Sequence, residues 1–276
     1  MLKQYRTRLN EKHPLIHCIT NYVTVNDVAN ILLASGASPV MADEPKEVAE
    51  ITAASAGLTL NLGTLNQISL TAMLVAGKKA NQLGHPIVFD PVALGASTLR
   101  TQATKQILQQ LQLTVIRGNS SEIRALINGA GQVKGVDAVP TDQVTPQNRS
   151  QFVTAAKRFC RQHQVILVIT GETDLIVSAN RVATINNGTA MMANITGAGC
   201  MLTALLTAYM AVAQDNGFMA AVAAVCHMGL AGQKAEQKRL HYSVGNVSFR
   251  NYLIDAIGQL NGANLDQEAI YEIDEN

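Results

Sequence analysis

The amino-acid sequence predicts an α/β fold with a mainly parallel central sheet covered by helices on both faces. Short apolar runs rich in β-branched residues alternate along the chain with longer runs of helical periodicity. The short runs are apolar throughout, as expected for parallel strands packed between two layers of helices. Proline and glycine residues stand near the ends of several helical runs, where they start or stop helices.

The predicted strands are eight short segments, of which the last two form a hairpin. In chain order they are Leu15–Ile19, Ser38–Met41, Leu58–Leu62, Ile87–Asp90, Thr114–Arg117, Val165–Thr170, Leu175–Val177 and Arg181–Ile185. The predicted helices are Val23–Ser35, Pro45–Ala56, Leu65–Leu83, Thr101–Leu111, Ser121–Ile127, Pro146–His163, Gly197–Gln214, Phe218–Glu236 and Val244–Leu260. We expect Pro45 and Pro146 in first helical turns, and Gly36, Gly57 and Gly84 at helix C-termini.

The composition predicts one compact domain over residues 1–276. Of the 276 residues 47% are hydrophobic and 15% charged, which is typical of a chain with a large buried core. The sequence contains neither an internal repeat nor a linker rich in proline, glycine and serine. The tail after Gly262 is polar, and we expect it to be frayed or loosely docked.

Charge and cysteine usage exclude several classes of partner. A net charge of +1 without a long basic run argues against nucleic acid and acidic membrane surfaces. The stretch between Arg181 and Asp215 lacks charged residues, but its apolar helical part, Cys200 to Ala213, is too short to span a bilayer. The four cysteines are scattered along the sequence, and we expect them to be reduced thiols. The N-terminal sequence has no apolar segment typical of a secretory signal, so we expect a cytoplasmic protein.

The segment Thr196-Gly-Ala-Gly-Cys200, followed by an apolar helix, is the strongest indication of a functional site. Gly197 and Gly199 flank the small Ala198, so backbone N–H groups can converge on an anion at the helix N-terminus. We expect the helix N-terminus to lower the pKa of the Cys200 thiol. The segment therefore predicts a site that holds negative charge with a base beside it.

Polar residues follow six of the predicted strands, at the sheet edge where ligands bind in open parallel sheets. The polar sequences are Thr20-Asn-Tyr, Asp43-Glu, Gly63-Thr, Asp90-Pro, Arg117-Gly-Asn-Ser-Ser-Glu122 and Thr170-Gly-Glu. Asp90 and Glu122 could cap a turn and a helix, or hold Mg²⁺ near a phosphate. Arg117 could be an ordinary strand-end charge or a phosphate clamp, and Met41 could be core or the wall of a ligand pocket.

Two longer patterns lead to a resemblance. Asn119-Ser-Ser-Glu122 resembles the N-x-x-E motif of ribokinase-like small-molecule kinases, and Thr196–Cys200 resembles their G-x-G-D motif with Cys in place of Asp. With that replacement, further motifs are similar to those of the hydroxyethylthiazole kinases. These motifs are His17-Cys-Ile-Thr-Asn-Tyr-Val, Ser38-Pro-Val-Met-Ala, Asn61-Leu-Gly-Thr-Leu, Phe89-Asp-Pro-Val and Val168-Ile-Thr-Gly.

This resemblance implies a ribokinase-like fold and ATP- and Mg²⁺-dependent phosphorylation of the primary alcohol of 4-methyl-5-(2-hydroxyethyl)thiazole. It also implies a homotrimer with its sites between subunits. By this resemblance Cys200 is the catalytic residue, and Gly197, Ala198 and Gly199 form the anion hole. Asn21, Met41 and Gly197 bind the thiazole. Arg117, Asn119 and Thr170 bind ATP, and Asp90 and Glu122 bind Mg²⁺.

Three alternatives remain open at this point. Another ribokinase-like enzyme, such as a hydroxymethylpyrimidine kinase or a nucleotide-dependent hydrate dehydratase, would resemble G-x-G-D rather than end in Cys200. A cysteine hydrolase would need a histidine such as His227 to activate the thiol. A nucleotide sensor without catalysis would be expected to have lost Asp90, Glu122 or Cys200, all of which are present.

Overall fold

The computed structural model of the protein describes residues 1–129, 145, 147–214 and 216–275. Its strands are β1 (Leu15–Ile19), β2 (Ser38–Met41), β3 (Gly57–Asn61), β4 (Ile87–Asp90), β5 (Val115–Asn119), β6 (Ile166–Thr170), β7 (Asp174–Val177), β8 (Arg181–Ile185) and β9 (Tyr271–Glu275). They form one sheet in the order β2-β1-β3-β4-β5-β6-β7-β8-β9. The pairs from β2 to β6 are parallel and those from β6 to β9 antiparallel. The predicted mainly parallel sheet is confirmed.

Helices cover both faces of this sheet, as predicted. They are α1 (Lys3–Lys12), α2 (Val25–Ser35), α3 (Val48–Ala54), α4 (Gln67–Leu83), α5 (Thr98–Gln110), α6 (Ser120–Ile127), α7 (Arg149–His163), α8 (Ala198–Ala211), α9 (Gly217–His241), α10 (Asn246–Gln259) and α11 (Gly262–Glu268). One hydrophobic core lies between the sheet and α1, α2 and α8–α11, and a second lies between the sheet and α3–α7. None of the helices in the described ranges has the length and apolar character needed to cross a lipid bilayer.

Helix α8 sets the position of the site. Its residues from Met201 to Met210 are all buried, and it packs on β1, β3 and β4. Continuous burial explains why the sequence here is apolar on every side rather than on one stripe. Its N-terminal turn, Ala198 to Cys200, lies at the carboxyl ends of these strands, where Cys200 contacts Asn21 and Asn61.

The two chain termini depart most from the sequence predictions. The N-terminal residues form α1, which was not predicted. The segment expected to be a loose tail forms α11 and β9, and β9 pairs with β8 from Ile185↔Tyr271 to Arg181↔Glu275. Asp266 accepts hydrogen bonds from the Met1 ammonium at 2.7 Å and from the Leu2 N–H at 2.6 Å. These contacts join the ends of the chain and give the polar tail its structure.

The predicted helix ends are partly confirmed. Gly36 and Gly84 have φ values of 89° and 69° and terminate α2 and α4, as expected. Gly57 instead lies within β3, where an added Cβ would approach Thr207 Cγ2 on α8 to 3.0 Å. Pro45 precedes α3 rather than lying in its first turn, and Pro146 lies outside the described residues.

Candidate active site

The N-terminus of α8 forms the centre of the candidate site. Gly197 has a φ of 91°, and a Cβ there would lie 3.0 Å from Thr24 Cγ2. Both the backbone conformation and the close approach therefore favour glycine. The first N–H groups of α8 have no carbonyl partner within the helix and can bind an anion. Gly197, Ala198 and Gly199 thus lie where the predicted anion hole requires them.

Cys200 lies in the first turn of α8 and is the one partly exposed thiol; Cys18, Cys160 and Cys226 are buried. Its Sγ accepts hydrogen bonds from the side-chain amides of Asn21 and Asn61, each at 3.3 Å. Burial raises the pKa of Cys200, and the nearby Asp90 carboxylate raises it further. The predicted lowering of this pKa is therefore wrong, because desolvation outweighs the helix N-terminus.

Asp90 is fully buried at the end of β4, and its two carboxylate oxygens differ in their contacts. Oδ2 accepts hydrogen bonds from Asn61 Nδ2 at 2.9 Å and Thr203 Oγ1 at 3.0 Å, and Arg117 Nη1 lies 3.4 Å away. Oδ1 is buried without a hydrogen-bond partner among the described residues. Burial raises the pKa of Asp90, while the Arg117 charge opposes that rise. The free oxygen is an open acceptor position inside the site.

Glu122 belongs to a capping box at the start of α6. Its Oε2 accepts from Asn119 N at 2.8 Å, and Asn119 Oδ1 accepts from Glu122 N at 2.9 Å. Its Oε1 accepts from Ala93 N at 2.8 Å, so Glu122 also holds the loop after β4. Burial and the Asp90 charge both raise the pKa of Glu122. The helix-capping interpretation of Glu122 is therefore confirmed.

Arg117 faces both α8 and a large cleft. Its Nη2 donates to Thr170 Oγ1 at 2.7 Å, and its guanidinium lies against Gly199, where a Cβ would come within 2.7 Å of Cζ. The cleft has a volume of about 1010 Å³, and all three predicted ATP residues, Arg117, Asn119 and Thr170, line it together with the Gly197–Gly199 turn. Apolar side chains form another part of its lining, namely Met192, Ile195, Leu202, Val225 and Met228.

The predicted thiazole residues come from three parts of the fold, namely the loop after β1, the end of β2 and the turn before α8. Asn21 reaches Cys200, as described above. Met41 ends the edge strand β2, where it pairs with Cys18 of β1, and it packs partly buried against the same core as Cys200. Tyr22 and Val23 follow Asn21 and are 64% and 66% exposed. This side of the site is therefore open and apolar in the single chain.

Two polar residues that contact the predicted site residues, Asn61 and Thr203, have no role assigned from the sequence, although Asn61 begins one of the motifs that carry the resemblance. Asn61 ends β3, one residue before the predicted strand end at Leu62. A predicted strand that ended at Leu60 instead of Leu62 would place Asn61 among the polar residues that follow the strands. Thr203 lies inside the apolar α8, and its position one turn after Gly199 is the only local signal for it.

The fold and the site together define an α/β protein with a ribokinase-like fold, in which a glycine turn and an arginine line the large cleft and a buried carboxylate lies beside that arginine. A solved ribokinase-like superfamily protein from Enterococcus faecalis V583 aligns with a TM-score of 0.62 at 13% identity, over 94% of this chain and 90% of that chain. At that identity the alignment supports the fold alone.

Sequence comparison gives the family. The Hydroxyethylthiazole kinase family profile matches residues 7–263. A hydroxyethylthiazole kinase of Clostridium acetobutylicum is 47% identical over 272 residues, 99% of each chain, and one of Clostridium beijerinckii is 46% identical over 255 residues, 91% of each. The structure of the hydroxyethylthiazole kinase protein from Pyrococcus horikoshii OT3 aligns over 99% of each chain with a TM-score of 0.85 at 30% identity. The chain belongs to the hydroxyethylthiazole kinase family.

Proposed function

We propose that this protein transfers the γ-phosphoryl group of ATP to the primary alcohol of 4-methyl-5-(2-hydroxyethyl)thiazole, as a step of thiamine salvage. Family membership supports this activity. The observation that carries it is the position of Cys200 at the N-terminus of α8, between two asparagine amides and next to the cleft that Arg117 lines. The whole chain acts as one kinase domain, since a single sheet includes strands from both ends of the sequence.

The nucleotide binds in the large cleft. Arg117, Thr170 and Asn119 contact its phosphates, and the amides of the Gly197–Gly199 turn hold the group in transfer. A phosphoryl group passes through a loose transition state, so alignment and neutralisation of charge matter more than a strong base. Arg117 and the N-terminus of α8 supply that positive charge from two sides.

The carboxylates fit a Mg²⁺ ion held largely through water and nucleotide phosphates. Asp90 Oδ1 is an unpartnered, buried oxygen, and Glu122 retains lone pairs beyond its two backbone contacts. Mg²⁺ is usually bound through one or two carboxylates together with water and substrate phosphates, and two carboxylates are what this site offers. When bound, the ion neutralises charge that develops on the phosphates.

The alcohol lies beside Cys200, with Asn21, Met41 and Gly197 holding the thiazole. Its oxygen forms the new bond to the γ-phosphorus while the bond to the leaving ADP oxygen breaks, and the alcohol proton passes to the thiolate form of Cys200, which becomes the neutral thiol. The amides of Asn21 and Asn61 stabilise negative charge on that sulfur. Because burial raises the pKa of Cys200, the fraction of thiolate available as a base continues to increase with pH above neutrality.

The working form is a homotrimer in the cytoplasm, which supplies ATP and keeps the free cysteines reduced. The exposed Tyr22 and Val23 beside Asn21 support this assembly, since a neighbouring subunit would cover them and close the thiazole pocket. Sedimentation should give three times the monomer mass. Mixing inactive Met41→Arg with inactive Cys200→Ala should restore part of the activity if the two residues serve one site from different chains. A fully active monomer would rule out this assembly.

The activity is tested by incubating the purified protein with ATP, Mg²⁺ and the thiazole alcohol and identifying the products by mass spectrometry. The expected products are ADP and the thiazole phosphate ester in equal amounts, with Cys200→Ala as the matched control. Substrate covalently attached to Cys200 would instead indicate a cysteine hydrolase. ADP and inorganic phosphate without the ester would show that the alcohol is not the acceptor.

A further inference from the structure

Asn61 uses every hydrogen-bonding position of its side chain inside the site. The side chain is buried at the end of the central strand β3. Its Nδ2 donates to Asp90 Oδ2 at 2.9 Å and to Cys200 Sγ at 3.3 Å. Its Oδ1 accepts from Asn21 Nδ2 at 3.1 Å and from the backbone N–H of Gly63 at 2.9 Å. An amide has two hydrogens to donate, and here one is directed to each of the two reactive side chains.

The orientation of this amide is determined by its neighbours. If the amide were flipped, its oxygen would face the Asp90 carboxylate and the Cys200 sulfur, and its NH₂ group would face two other N–H donors. Both changes replace hydrogen bonds with repulsive contacts in a buried environment, where unpaired polar groups are costly. The observed orientation is therefore strongly favoured.

We propose that Asn61 is a positioning residue that fixes the Cys200 sulfur relative to the Asp90 carboxylate. Because β3 lies between β1 and β4 in the sheet, a single side chain at its end can reach Asn21, Cys200 and Asp90 together. By occupying Asp90 Oδ2, Asn61 and Thr203 leave Oδ1 as the free oxygen of that carboxylate. Asn61 thus sets the separation between the group that accepts the alcohol proton and the carboxylate on the phosphate side. This inference rests on the proposed kinase function.

The kinetic test compares Asn61→Ala and Asn61→Asp with a matched variant, Thr59→Val. Thr59 lies two residues earlier in β3, faces the same side of the sheet and shares a buried hydrogen bond of 2.7 Å with Thr207 of α8, outside the site. Misplacing reacting groups by about 1 Å can cost on the order of 100-fold in rate. We expect kcat to fall about 10- to 100-fold in both Asn61 variants, with KM for ATP and for the thiazole within about 3-fold of wild type. Thr59→Val should keep kcat within about 2-fold.

Crystal structures of the same variants provide a readout that does not depend on activity. In Asn61→Ala we expect the Cys200 sulfur or the Asp90 carboxylate to move by more than about 0.5 Å, the tolerance of a productive site, or to occupy several positions. Asn61→Asp keeps the shape of the side chain but loses at least one donated hydrogen bond, so it serves if Asn61→Ala does not fold. Thr59→Val should leave both groups in place.

Three results would overturn the proposal. One is an Asn61 variant with wild-type kcat, and another is an Asn61 variant in which both groups superpose on the wild-type structure. A loss that appears in KM and in stability but not in kcat would also contradict it, because that pattern indicates a structural role only. If the wild-type protein fails to phosphorylate the thiazole, the proposed function is wrong, and the crystal structures still decide whether Asn61 positions the two groups.

Discussion

Replacing Gly199 by alanine should separate catalysis from stability at the N-terminus of α8. A Cβ at this position would lie 2.7 Å from Arg117 Cζ and from Nη2, and closer still to Nη1. Ordinary contacts between such atoms are about 3.5–4.0 Å, so the guanidinium has to retreat by about 1 Å. The retreat breaks the 2.7 Å hydrogen bond to Thr170 and the 3.4 Å ion pair with Asp90.

The magnitude follows from these contacts. Moving a charged group by about 1 Å in a site that depends on alignment costs on the order of 100-fold in kcat/KM for ATP, which equals about 2.7 kcal/mol of transition-state stabilisation. Stability should change little, because alanine in a helix is favoured over glycine by about 0.5–1 kcal/mol, which offsets part of the lost Arg117 contacts. A large kinetic effect with a small change in the free energy of unfolding is the expected signature of Gly199→Ala.

Steady-state rates at varied ATP and urea unfolding measure the two quantities. Gly217→Ala is the matched control, because Gly217 begins α9 and an added Cβ there would meet its nearest neighbours, Met210 Sδ and Ile166 Cδ1, at 3.5 and 3.6 Å. That variant should keep wild-type kinetics. If Gly199→Ala retains kcat/KM for ATP within about 3-fold of wild type, the proposed role of Arg117 at the α8 N-terminus is refuted.

Three further changes have defined outcomes. Cys200→Ala should fold and lose about 10²–10⁴ in kcat. Cys200→Asp should keep substantial activity. Because the pKa of Cys200 is raised, the wild-type kcat should increase with pH above neutrality, and the pH–rate profile of Cys200→Asp should lack this increase. Glu122→Gln turns an NH₂ group toward a backbone N–H, so it should lower the unfolding free energy by about 1–3 kcal/mol. It should also reduce the Mg²⁺-dependent rate more than thiazole binding. If the dependence of the rate on Mg²⁺ concentration is unchanged, Glu122 is a helix cap only. Burial lowers the pKa of His227 to about 3, so the unfolded chain takes up a proton near pH 6.5 that the folded protein does not. Stability is therefore full above that pH and should fall by up to about 1.4 kcal/mol per pH unit below it, and by less in His227→Gln. Urea unfolding of both proteins at pH 7 and pH 5 measures this difference, and an equal loss of unfolding free energy in the two would contradict it.

The central elements of the fold could be predicted because their signals are local. The inner parallel strands β1, β3 and β4 are buried on both faces and form short apolar runs, and Gly36 and Gly84 terminate helices through their own positive φ values. The segments α1, α11 and β9 have polar sequences without such signals. Their structure depends on contacts with distant parts of the chain: α1 and α11 are joined through Met1 and Asp266, 265 positions apart, and β9 pairs with β8.

The same distinction applies to the site. The glycine turn before Cys200 and the polar strand ends carry local signals that indicated Asp90 and Arg117. Asn61 and Thr203 act through partners 139 and 113 positions away, Cys200 and Asp90 respectively, and no spacing in the sequence indicates those contacts. The direction of the Cys200 pKa shift was predicted wrongly for a related reason, since the sequence shows the helix start but not the burial of the thiol beside Asp90.

The most direct test of the central claim is a competition between two alcohols. The purified protein is given ATP, Mg²⁺ and equal concentrations of the thiazole alcohol and a hydroxymethylpyrimidine, and both phosphate esters are quantified over time by mass spectrometry. We expect the thiazole ester to form at a rate matched by ADP release and to exceed the pyrimidine ester by at least about 100-fold, a difference of about 2.7 kcal/mol in transition-state binding. Preferential phosphorylation of the pyrimidine, or ADP release without either ester, would contradict it.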